Sequence, residues 1–95
     1  FAALKMDGSG VTWGHADTGG NSTDVESELN SNVETIYSAD AAFAALKTDG
    51  SVVTWGHASY GGDSTSVKAE LGSKVETIYS NWHSFAAVKT NGSVV

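Results

Sequence analysis

Three histidines, three tryptophans and eleven carboxylates are the side chains here whose types and spacing could support chemistry. His15 and His57 each follow a Trp-Gly pair, while His83 stands apart. Metal ligation or catalysis needs convergent ligands, such as two His one helical turn apart or a His beside a carboxylate and a nucleophile. Asp17 lies two residues beyond His15, but Ser59 holds that place after His57. One His recurring per segment is therefore read as a loop hydrogen bond, and no catalytic residue, metal ligand or cofactor is expected. Trp13 and Trp55 could form a shelf for sugar faces, yet their place in apolar hairpins assigns them to packing. Tyr60 and Trp82 do not recur, since Thr18 and Asp40 stand at the matching positions. Together with His57 they are the candidates for a binding surface. Asn21-Ser22-Thr23 and Asn91-Gly92-Ser93 match the N-glycosylation triplet, which makes Asn21 and Asn91 candidate acceptors. The Asp-Gly and Gly-Gly pairs lack the alternating acids of a calcium loop and the lysine of a phosphate loop, so turn chemistry accounts for them.

The elements that must position these side chains come from an internal repeat. Phe1-Ala2-Ala3-Leu4-Lys5 returns at Phe43-Ala44-Ala45-Leu46-Lys47 and again at Phe85-Ala86-Ala87-Val88-Lys89. Residues 1–42 and 43–84 agree at 28 of 42 positions without a gap, and residues 85–95 match 43–53 at nine. The organisation read from this is unit 1 over 1–42, unit 2 over 43–84 and the opening of unit 3 over 85–95. That phase suggests a piece of a longer array, or a permuted chain whose ends pair elsewhere.

Within a unit, Val33–Ser38 and Val75–Ser80 are rich in β-branched and aromatic residues and predict strands. A strand near Phe43–Lys47, an Asp49-Gly50 turn and a returning strand over Ser51–Trp55 predict a hairpin. With a two-residue loop, Leu46 would face Val53 and Ala44 would face Trp55, and likewise Leu4 would face Val11 and Ala2 would face Trp13. The opposite side carries Phe43, Ala45 and Val52, so the sheet is apolar on both faces and needs cover on both. A short helix follows, capped by Ser64 or Thr65, buried through Val67 and Leu71 and stopped at Gly72. Its counterpart has Thr23 and Glu26 in capping-box spacing, Val25 and Leu29 buried, and a stop at Asn30. The residues expected to pack unit on unit are Phe1, Leu4, Trp13, Val25, Leu29, Phe43, Leu46, Val53, Trp55, Val67, Leu71 and Phe85.

The run Leu46-Lys47-Thr48-Asp49-Gly50-Ser51-Val52-Val53-Thr54-Trp55-Gly56 resembles the repeat of the regulator of chromosome condensation family, in a short, bacterial-like form. The V-x-x-I strand before it and Gly61-Gly62 after it fall in the same order. This resemblance implies β-propeller blades. The helix-like segment and the short unit make a linear β-solenoid the competing arrangement, so the fold class is mainly β, with units of three antiparallel strands plus a short helix in one of these two arrangements. Nucleotide exchange does not carry over.

Composition narrows the partners. Five Lys and no Arg against eleven acids give a net charge of −6, which disfavours nucleic acid. No apolar run reaches the ~20 residues of a membrane span, and no cysteine is present for disulfides or thiolate sites. The expected function is a non-enzymatic repeat module, extracellular or at the cell surface, that binds copies of itself or further repeats of its array through repeat ends. The alternative is a lectin-like module that binds glycans.

Overall fold

The computed structural model describes all 95 residues, and the fold is mainly β with antiparallel sheets. Seven strands form three sheets: β1 (Ala2–Leu4) with β2 (Gly10–Thr12), then β3 (Val33–Ser38), β4 (Ala42–Lys47) and β5 (Val52–Gly56), then β6 (Val75–Ser80) with β7 (Phe85–Lys89). Both V-E-T-I-Y-S strands have the bounds their composition predicts.

The hairpin register differs from expectation by one residue. Phe43 faces Trp55, Ala45 faces Val53 and Leu46 faces Val52, and in the first hairpin Ala3 faces Val11 while Leu4 faces Gly10. The loop spans three residues, Thr48-Asp49-Gly50, closed by Gly50 N–H donating to the Lys47 carbonyl at 3.0 Å and Lys47 N–H donating to Ser51 at 2.9 Å. Gly50 holds a left-handed φ of 83°, as a three-residue loop with a bulge requires. The Asp49 carboxylate accepts from Ser51 N–H at 2.9 Å and Ser51 Oγ at 2.6 Å, which locks this turn instead of the tighter one. Phe43 therefore stacks on Trp55, with ring centroids 5.4 Å apart, where a small Ala was expected opposite the indole.

V-x-x-I spacing in a regular strand would send Val33 and Ile36 to opposite faces. The ladder shifts between Val33 and Thr35, and again between Val75 and Thr77. The shift lets both apolar residues point inward while Glu34 and Glu76 stay exposed.

The helical segment is shorter than predicted. It consists of a 3-10 turn at Thr23–Val25 running into one α turn, α1 (Glu26–Leu29), and of 3-10 turns at Thr65–Val67 and Glu70–Gly72. Its start is held one residue earlier than Ser64 or Thr65: the side-chain oxygens of Asn21 and Asp63 accept from Thr23 N–H and Thr65 N–H, both at 3.0 Å. Thr23 gives its hydroxyl to Asn21 and forms no capping box with Glu26. The left-handed residues that end the segment are Asn32 and Lys74. Asn30 is right-handed helical, and Gly72 lies within its 3-10 turn.

Two apolar clusters lie on opposite faces of the β3–β4–β5 sheet. Ala45, Trp55, Val33 and Leu29 form one, with Ala2 of the first hairpin packed on it. Ala44 and Leu46 join Leu71, Val75, Ile78 and Ala87 in the other. The two-faced apolar pattern of β4 is thus covered from both sides.

Candidate assembly interface

The face of β4–β5 that meets the first hairpin and α1 is built from Phe43, Ala45, Val53 and Trp55. Trp55 is 4% exposed, packs with Leu29 and Val33, and donates its indole N–H to the Gly19 carbonyl at 3.1 Å. The Cδ2–Cε2 edge of the Phe43 ring rests on Gly19, so close that a Cβ there would sit 2.4 Å from the ring. Lys47 reaches across to the Glu28 carbonyl near the end of α1, where backbone oxygens lack helical donors. The same devices recur between the second and third sheets: Phe85 covers Gly61, and Lys89 donates to the Glu70 carbonyl at 2.7 Å.

The turns join these layers as well. Val33 N–H donates to the Gly8 carbonyl at 2.8 Å and Val75 N–H to the Gly50 carbonyl at 2.9 Å. Each hairpin tip is therefore bonded to the first residue of the next sheet.

The first hairpin carries the same side chains on its outer face, uncovered. Phe1 and Trp13 stack at 6.0 Å yet are 79% and 51% exposed, and Val11 beside them is 47% exposed. Strand β1 pairs with β2 alone, which leaves its other edge free. Lys5 is exposed, with no carbonyl in reach of the kind Lys47 and Lys89 hold. At the far end, Tyr79 is 63% and Val94 67% exposed. Leu46 (2% exposed) and Leu71 (7%) are buried, and Val25, Val67 and Phe85 pack against the two clusters. Of the twelve residues expected to pack unit on unit, then, Phe1 and Trp13 lie on this open face, and Leu4 is partly exposed on the other side of the hairpin, the side of Ala2.

His15 and His57 act as turn anchors. Their Nδ1 atoms accept from Asp17 N–H and Ser59 N–H, both at 3.2 Å, and start the 3-10 turns Ala16–Thr18 and Ala58–Tyr60. An accepting Nδ1 places the proton of the neutral ring on Nε2. Tyr60 is half-buried between His57 and His83, at centroid distances of 4.9 and 4.7 Å. Trp82 stands 76% exposed on a loop, tied down by Asp40 N–H donating to its carbonyl at 3.0 Å. Tyr60 and Trp82 thus occupy different settings.

Asn91 accepts from Ser93 N–H at 2.9 Å and Ser93 Oγ at 2.7 Å, as Asp7 does from Ser9 and Asp49 from Ser51. Asn21 makes the turn that Asp63 makes in the second copy. The spacing of both triplets therefore coincides with an Asx-turn that carboxylates form equally well. Hydroxyl donors foremost, then backbone N–H groups, hold the Asp7, Asp49 and Asp63 carboxyls below their ordinary pKa.

Two features escaped sequence reasoning, the lysine-to-carbonyl bond and the Phe-on-Gly contact. Their signal was present, because Lys5, Lys47 and Lys89, and Gly19 and Gly61, recur at one spacing. No protein-family model and no curated protein matches the chain.

Proposed function

We propose that the protein is a non-enzymatic structural repeat module that self-associates through its repeat ends. One observation carries this reading: the aromatic and aliphatic face that is buried at Ala45 and Trp55 and half-buried at Phe43 and Val53 recurs, exposed, as Phe1, Ala3, Val11 and Trp13. A surface that is covered inside the molecule by α1 and the first hairpin is complementary to the matching elements of another copy. Association that joins unlike ends closes into a ring or extends as a fibre. A ring corresponds to a multi-chain propeller, as the resemblance to the chromosome-condensation repeat suggests, and a fibre to a linear β-solenoid of 42-residue units. Static light scattering at micromolar concentration tests the proposal. Multi-chain particles support it, and a monodisperse 9.8 kDa species contradicts it.

A glycan-binding reading rests on Trp82. Its exposed indole borders an open cleft of about 310 Å³ lined by Ser38, Asp40, Ser80 and Asn81. An aromatic face beside carboxylate and amide groups suits a sugar ring. Binding on a glycan array that disappears with Trp82→Ala would support it, and an array without signal would refute it.

A further inference from the structure

We propose that copies join by strand exchange, the β1–β2 hairpin of one copy replacing β7 beside β6 of the next. This rests on the self-association reading and specifies its geometry. Residues 1–5 and 85–89 differ only in Leu4 against Val88. Strand β6 therefore meets nearly the same side chains whichever copy supplies them. The observed pairs Tyr79–Ala86 and Ser80–Phe85 become Tyr79–Ala2 and Ser80–Phe1 between copies.

Three receiving groups are in place. Gly61, now covered by Phe85, has the bare backbone that Phe1 would cover. The Glu70 carbonyl, now held by Lys89, can take Lys5. The Gly61 carbonyl corresponds to the Gly19 carbonyl that accepts from Trp55, and it has no donor within the chain. Trp13, at the place in its hairpin that Trp55 holds in the second, supplies that donor.

Exchange trades one set of equivalent contacts for another and adds burial. Trp13 and Val11 become covered by the second helical segment of the receiving copy. Tyr79 becomes covered by the Leu29 and Val33 cluster of the incoming copy, just as Tyr37 is packed against the Leu46 cluster. The β1 edge gains the partner it lacks. Swapping a like element between protomers is a low-cost route to assembly because the contacts already exist in the monomer. The contact is head-to-tail, so each exchanged copy offers its own β6 to another.

Ala2 decides between exchange and simple stacking of exposed faces. It lies on the inner side of its hairpin, against the Leu29 cluster, so stacking the outer faces cannot bring it to Tyr79. The β3–β4–β5 sheet also stands between β1 and β6 within one chain. Two full-length single-cysteine variants, Ala2→Cys and Tyr79→Cys, are mixed, equilibrated and oxidised, in a protein with no cysteine of its own. Exchange predicts at least a tenfold excess of the mixed disulfide over either homodimer. Assembly of the wild type with only statistical pairing overturns exchange and leaves self-association standing. A monomeric wild type overturns both. Phe1→Cys with Ser80→Cys, both exposed, repeats the test if circular dichroism shows that a variant in the first pair is unfolded.

Discussion

Trp13 and Trp55 hold matching places in two hairpins and differ only in what covers them. Removing Trp55 empties a packed site and orphans the Gly19 carbonyl, so Trp55→Ala should cost about 3–5 kcal/mol in denaturant unfolding. Trp13→Ala, at a half-exposed site, should change unfolding by less than about 1 kcal/mol while weakening association at least tenfold by sedimentation. The pair separates folding from assembly. Equal effects on both properties would contradict the assignment of Trp13 to an interface. Gly19 is the residue on which Phe43 rests, at a φ of 99°. Gly19→Ala should cost at least about 1–2 kcal/mol for the left-handed backbone alone, with a further loss as Phe43 is displaced. Chemical denaturation of the variant measures it.

At the scale of elements, the Asx-turns give the fold an acid sensitivity with a definite sign. Asp49 has a lowered pKa because Ser51 donates to its carboxylate. A depressed folded value means that the turn's contribution is complete above the ordinary carboxylate pKa. It is lost as pH falls through the lowered folded value. Asn91 occupies the matching turn with an amide, so Asp49→Asn should keep the turn and remove that titration. The expected result is an unchanged Tm at pH 7 and an acid-unfolding midpoint displaced to lower pH; a midpoint that stays put would exclude Asp49 as a contributor.

The same turns explain how far the elements could be read. Strands β3 and β6 were legible because V-E-T-I-Y-S has strong β-propensity and clear ends. The hairpin register was not, because β4 is apolar on both faces and alternation cannot choose between pairings one residue apart. The deciding group was Ser51, which bonds the Asp49 side chain and selects the three-residue loop. Helix ends were misjudged for a related reason: Asn21 and Asp63 stand just before the Ser and Thr that look like caps. The candidate interface was legible as a set of recurring residues. Which of them are uncovered depends on sheet order, a property no single segment carries.

For the whole molecule, three sheets share two apolar clusters, and only the central sheet is covered on both sides. No disulfide staples the sheets, and on the proposed reading the exposed apolar faces would supply the driving force for contact between copies. Burial of apolar surface predicts association that persists at high salt, in contrast to charge-driven contacts, which screening weakens. Sedimentation in 0.1 and 1 M salt should therefore return the same particle mass or a larger one. The most direct measurement is sedimentation equilibrium of the full chain across the micromolar range. The account predicts a mass that rises with concentration through multiples of 9.8 kDa. A single, concentration-independent species of 9.8 kDa would contradict it.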